Sequence, residues 1–254
     1  SVPIIGDVVS RFAYNGRVRS YRSLTSQKAL KLDGIQINTI NFLGFEVRDF
    51  SALYGLGAVG GSALHLYSAI FTYNMVAYTA EQIAKHHSYE DYTIGIVCPY
   101  KAEAEAINQM IESRPINNKN CKVSCGTVHS FQGDECDIMF VVLNPPAYNT
   151  AGTHVNNTNI INVAMSRARD YLFFVVPEGQ IDGYNVKNKL GKIIDANDRS
   201  ILHCKEIEKV IFGEENYIES NTEITPHLPV NVYYKSQARY DVRWDDTALD
   251  IQMH

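Results

Sequence analysis

The sequence predicts an α/β fold in which helices cover both faces of a mainly parallel sheet. Short, continuously apolar stretches at 93–98, 137–143 and 171–176 are bounded by turn residues, as strands buried on both faces must be. Segments with apolar residues every three or four positions separate them, at 101–113 and 159–169. This alternation builds βαβ units. The 254 residues, 45% hydrophobic and 20% charged, supply enough apolar surface for a core without metal or disulfide staples.

Each element follows from local pattern. Residues 3–13 read as a helix with Pro3 in its first turn. Residues 14–33 are polar and carry Arg17, Arg19, Arg22, Lys28 and Lys31, which reads as a solvated linker. Residues 35–40 alternate with period two and predict a strand. Residues 62–87 predict the longest helix, with Ser62 as N-cap and Leu66, Ile70, Tyr73, Ala77, Ala80 and Ala84 on one face. Strands follow at 93–98, 123–127, 137–143 and 171–176, with helices at 101–113 and 159–169. Composition shifts after Gly179. Residues 1–180 therefore read as one domain and 181–254 as a C-terminal extension. That extension holds a helix near 203–213 and a small β meander over 229–253.

Charge and cysteine content narrow the function. The net charge of −5 excludes a bulk basic surface as the source of nucleic-acid affinity, though not a local basic groove. Five scattered cysteines, Cys98, Cys121, Cys125, Cys136 and Cys204, lack zinc-finger spacing and read as free thiols of a reducing, cytoplasmic compartment. No residue is assigned as a metal ligand. No apolar run reaches the length of a membrane span, and the N-terminus lacks the features of a signal peptide. The chain opens on Ser1 rather than Met, which suggests a piece of something longer.

Gly55, Gly57 and Gly60 match a dinucleotide-binding fingerprint. That fingerprint needs an apolar strand running into its first glycine and an acidic residue ending the next strand. Residues 47–54 make a poor buried strand and Glu81 falls inside a helix, so the segment reads as a glycine loop. A nucleotide-cofactor enzyme built on it is the least favoured reading.

Two other segments carry chemistry. Residues 126–137, G-T-V-H-S-F-Q-G-D-E-C-D, place a hydroxyl (Thr127) at a strand's carboxyl end and then a glycine (Gly133) and a carboxylate (Glu135). Such strand ends are where α/β sheets bind ligands. A carboxylate there suits sugar hydroxyls. Residues 162–169, N-V-A-M-S-R-A-R, put Arg167 and Arg169 near the end of a short helix, from which an arginine can reach a phosphate on a neighbouring domain.

Together these segments resemble motifs V and VI of superfamily-1 helicases, in the branch reading T-V-x-x-F-Q-G-x-E and N-V-A-x-[ST]-R-A-[RK]. Residues 95–102, G-I-V-C-P-Y-K-A, are similar to the strand and P-Y-K-A-Q segment of the same branch, and residues 3–6 and 12–18 resemble its opening helix and turn. The resemblance covers about residues 1–178. It implies a three-layer RecA-like domain of P-loop NTPase kind, the second of two that clasp ATP and Mg2+ and pass single-stranded nucleic acid across the top. In that scheme Arg167 is the catalytic finger on the γ-phosphate. Glu135 holds the ribose, and Gly133 and Gln132 lie against the nucleotide. Thr127, His129 and Tyr100 face the nucleic acid, with DNA preferred over RNA. Arg169 supports the loop.

The chain also departs from that pattern. It contains no G-x-x-x-x-G-K-[ST] and no acidic box for Mg2+. ATP and Mg2+ are therefore expected to be held mainly by an upstream RecA-like domain, with this chain inactive alone. Glu103 stands where the family has Gln, and Asn144-Pro145-Pro146 replaces a polar segment. The alternative to a motor half is a non-catalytic module, binding nucleic acid or protein on a helicase-like fold.

Overall fold

In a computed structural model of the chain, residues 1–47, 56–59, 61–131, 135–145, 154–179, 181, 184–220, 231–234, 240–244 and 249–253 are described, with 57–59 and 231–253 as backbone only. Six strands form a wholly parallel sheet: β1 (Ile40–Phe45), β4 (Tyr92–Cys98), β5 (Cys121–Thr127), β6 (Cys136–Val142), β7 (Ala168–Pro177) and β8 (Arg199–His203). Their order is β5-β4-β6-β7-β1-β8.

Strand periodicity sends alternate residues to opposite faces, and each face has its own core. On one side Ile94, Ile96, Phe140, Val142, Phe173 and Val175 pack under α2 (Leu66–His86), α3 (Lys101–Ser113) and α6 (Cys204–Phe212). On the other, Val97, Met139, Val141, Leu172 and Phe174 pack under α1 (Pro3–Ala13), α4 (Thr158–Ser166) and α5 (Asn185–Ile193). The result is the expected three-layer α/β architecture. A short α7 (Tyr217–Ser220) closes against Glu208 of α6, whose Oε2 accepts from Ile218 N–H at 3.0 Å.

Several boundaries differ from the sequence reading, each for a physical reason. The strand expected at 35–40 begins at Ile40. Before it, Leu32 and Ile35 make only an isolated bridge. β1 lies between β7 and β8 and is buried at all six positions, so its signature is continuous apolarity rather than the alternation of a half-buried strand. The helix expected from Ser62 starts at Leu66. Residues Ser62–His65 form strand β3, and the His65 ring caps the helix by accepting from Ser68 N–H. The helix expected to run through Arg169 stops at Ser166, which leaves Arg167 as its C-cap and Arg169 in β7.

The glycine segment is not a loop leading into a helix. Leu56–Val59 form β2, antiparallel to β3 with Gly57 opposite Leu64. Gly55 and Gly60 lie outside the described residues. A hairpin strand cannot present the βαβ turn that a pyrophosphate requires. β2 and β3 belong to a second sheet of order β11-β10-β9-β2-β3, with β9 (Asn231–Tyr234), β10 (Tyr240–Trp244) and β11 (Leu249–Met253). The polar stretch after 180 contributes α5 and the edge strand β8 to the main domain's layers.

The topology fixes where ligands can enter. From β4 the chain crosses by α3 to β5 on one flank, and from β6 it crosses by α4 to β7 on the other. The carboxyl ends of β4 and β6 therefore flank a switch point, where adjacent connections leave on opposite faces and open a crevice.

Candidate nucleic-acid interface and phosphate-facing edge

A cavity of about 610 Å³ opens at the carboxyl ends of β4 and β5, on the same edge of the sheet as the switch point. Pro99, Tyr100 and Lys101 line it from the exit of β4, Thr127, Val128 and His129 from the exit of β5, and Gly61, Ser62, His154 and Ile160 complete it. Tyr100, Thr127 and His129, assigned separately along the sequence, thus meet on one wall. The Tyr100 and His154 rings lie 5.5 Å apart at 38°. Lys101 is exposed and pairs with Glu105 at 3.1 Å, one helical turn along.

The β5 exit is shaped by a close approach. A 3-10 turn at Val128–Phe131 folds back so that Ser130 Oγ donates to Thr127 O at 2.7 Å. A Cβ on Gly126 would lie 2.1 Å from Ser130 Oγ, so any larger residue would force Ser130 off its bond to Thr127 O or shift the turn. Gln132 and Gly133 lie outside the described residues.

Behind the Tyr100 and Lys101 lining lies a buried carboxylate. Glu103, in the first turn of α3, is 0% exposed. Its Oε2 accepts from His65 N–H at 2.7 Å and Asn144 Nδ2–H at 3.0 Å, and its Oε1 from Ser68 Oγ–H at 2.7 Å. Burial pushes its pKa up to about 7 against these three bonds. Ser62 Oγ accepts from Ala102 N–H at 3.0 Å. The β3–α2 corner, α3 and the exit of β6 are thereby tied together behind the cavity.

Glu135, Arg167 and Arg169 occupy the opposite, amino-terminal edge of the sheet, beside the starts of β6 and β7. At about 3.3 Å per residue, the seven-residue β6 puts the two edges on the order of 20 Å apart. Two of this edge's arginines have carboxylate company. Arg22 pairs with Asp170 at 2.9 Å, and Arg169 lies 4.0 Å from both Glu135 and Asp137. Asp137 is held by Lys28 Nζ and by the N–H and Oγ1 of Thr93, each at 2.9 Å. Burial alone would raise its pKa, but these bonds bring it below the usual carboxylate value.

Arg167 differs. Among the described residues it has no carboxylate partner. Its side chain contacts only Ser166 Oγ, 3.3 Å from Nη2, and its buried Nε is unbonded. Its backbone is fixed at both ends: the N–H donates to Ala164 O at 3.3 Å, and the carbonyl accepts from Cys136 N–H at 2.9 Å. A fixed backbone with an uncommitted guanidinium is suited to receiving an anion from outside the chain.

The family model for an AAA domain matches residues 1–178. The chain belongs to the AAA domain family. Replicase polyprotein 1ab of Alphamesonivirus 1 is 34% identical to this AAA chain over 98 residues, which are 38% of the chain and 2% of the polyprotein. The chain also aligns with the C-terminal domain of a possible DNA helicase from Lactobacillus plantarum WCFS1. That match covers 78% of this chain and 94% of the other, with 14% identity and a TM-score of 0.37.

His154, Lys101 and Ser62 were not singled out from sequence as groove residues. His154 follows a stretch without periodicity, and nothing local marks it. Ser62 was taken for a helix cap, and its hydroxyl caps the neighbouring helix α3 instead. Among the described residues, no three His, Cys, Asp or Glu side chains gather to hold a metal, and no helix is long and apolar enough to cross a membrane.

Proposed function

We propose that this chain is the second motor half of an ATP-dependent superfamily-1 helicase or translocase acting on single-stranded nucleic acid. The observation that carries the reading is the division of the motif residues. Tyr100, Thr127 and His129 share one cavity at the strand carboxyl ends, and at the opposite edge Arg167 has no carboxylate partner among the described residues. Residues 128–135 connect the two edges directly. Membership of the AAA domain family supports the same reading.

In this reading the Arg167 guanidinium reaches the γ-phosphate of an ATP held by a neighbouring RecA-like domain and neutralises charge there. Glu135, 52% exposed, takes the ribose hydroxyls, with Gln132 and Gly133 beside it. ATP supplies the phosphoryl group whose loss drives domain movement. Mg2+ has no acidic cluster among the described residues and belongs with the upstream domain. At the other edge Thr127 takes a strand phosphate, and Tyr100 and His129 face the bases. DNA is the strand we favour over RNA.

The test is ATP hydrolysis by the longest natural polypeptide containing this chain, with and without single-stranded DNA or RNA, beside its Arg167→Ala variant. Strand-stimulated turnover that collapses in the variant supports the motor. Equal turnover in both proteins rejects Arg167 as the finger. Strand binding with no turnover in either favours the non-catalytic module.

A further inference from the structure

We propose that Glu103 tunes the groove from beneath. An anionic strand and the ionised Glu103 carboxylate oppose each other, so strand binding is coupled to proton uptake at this side chain. The inference rests on reading the cavity as the single-strand site.

The geometry sets up the opposition. The amino end of α3 faces the cavity through its N-cap Tyr100 and first residue Lys101. A helix start carries partial positive charge that favours a phosphate. Glu103 sits two residues further in, fully buried, and its negative charge cancels that field where no solvent screens it. Only neutral donors hold the carboxylate: His65 N–H, Asn144 Nδ2–H and Ser68 Oγ–H. No Lys or Arg pairs with it among the described residues.

A neutral form can also be hydrogen-bonded. Ser68 Oγ has a second acceptor, His65 O, at 3.0 Å. It can turn its proton there and accept one from Glu103 Oε1. Burial already brings Glu103 to about 7, so an anion at the amino end of α3 acts on a group close to its midpoint.

The other ionisable neighbours are few. The His65 ring bonds Ser68 Oγ at 3.0 Å and stacks on Phe45 at 4.8 Å. From β4 comes the Cys98 thiol, lifted well above its usual value by burial first, then by Cys125 and Glu103. On α3 itself Lys101 and Glu105 pair in solvent. His129 and His154 line the cavity and add their own pH dependence to any phosphate contact.

Glu103→Gln separates these contributions. Its amide oxygen can accept from His65 and Asn144, its NH2 can donate to Ser68, and it carries no charge at any pH. The experiment is fluorescence anisotropy of a fluorescein-labelled single-stranded oligonucleotide with this chain and its E103Q variant, from about pH 6 to pH 8.5 at low salt. Thermal unfolding of both verifies the fold. The expected result is several-fold weaker binding by the unmodified chain at the alkaline end, with E103Q binding several-fold tighter than it there. The dependence left in E103Q is that of the histidines. Superimposable profiles, or weaker binding by folded E103Q at pH 8.5, overturn the inference while leaving the groove intact. No binding by either protein at any pH overturns the groove reading and this inference with it.

Discussion

The backbone N–H of Cys136 donates to the carbonyl oxygen of Arg167 across 2.9 Å. This bond fastens the segment entering β6 to the end of α4, so the Glu135 and Arg167 motifs are positioned as one unit. Because the backbone of Arg167 is fixed and its guanidinium has no carboxylate partner among the described residues, replacing the side chain should disturb chemistry and little else. Arg167→Ala in the ATP-hydrolysing polypeptide should lower turnover by about 10³-fold or more while leaving strand affinity within about twofold. Arg167→Lys should not restore it, because a point charge cannot reproduce the guanidinium fork. Steady-state hydrolysis and anisotropy on the same samples check both halves of the expectation.

Gly126 admits the turn that carries His129. Adding one methyl there places it 2.1 Å from Ser130 Oγ, so Gly126→Ala must swing Ser130 Oγ off Thr127 O or displace the turn. The cost should be about 1–3 kcal/mol of stability, accompanied by weaker oligonucleotide binding. Ser130→Ala combined with Gly126→Ala should recover part of both, since the Oγ clash is removed. Retention of full binding by Gly126→Ala alone would show that the turn does not shape the site.

Tyr100 supplies an aromatic face at the groove mouth. Tyr100→Ala should weaken single-strand binding by about 1–3 kcal/mol, the range of one base stacked on an aromatic ring, and Tyr100→Phe should stay near the unmodified value. Duplex oligonucleotides, whose bases are already stacked, should be affected less. Titrations with both strand types decide the matter.

Glu103 also marks the pH dependence of folding. Its pKa rises from 4.5 in the unfolded chain to about 7 when folded, so between those values the native state holds more protons. Stability from this group is then full below about pH 4.5 and is lost as pH rises towards 7, by on the order of 3 kcal/mol. Asp137 works the other way: its lowered value gives stability that disappears on acidification. Urea unfolding from pH 5 to pH 8 should show Glu103→Gln gaining on the unmodified chain as pH rises. A constant difference between the two would contradict the buried, ionising carboxylate.

Much of the architecture was legible because it depends on near-neighbour pattern. The strands at 93–98 and 137–143 and the helix at 101–113 announce themselves by apolar runs and helical spacing. β1 was misplaced because its neighbours, β7 and β8, arrive more than 120 residues later and bury faces that its own sequence leaves undefined. β8 itself was invisible because an edge strand needs little apolar content. Tyr100, Thr127 and His129, singled out through the resemblance to helicase motifs, line one cavity. The burial of Glu103 could not be read from the sequence, since it is created by Asn144 and His65, each about 40 residues away.

The direct link from β5 to β6 has a geometric consequence. Between Thr127 and Cys136 the chain must travel back along the length of β6 and sideways past β4, a path of about 22 Å given strand rise and spacing. Four of those residues are wound into a 3-10 turn that advances only about 2 Å each, and the remaining steps reach about 17 Å when fully drawn out. Thr127 at one rim and Glu135 at the other are therefore only eight residues apart along the chain, a short span against the distance between the rims.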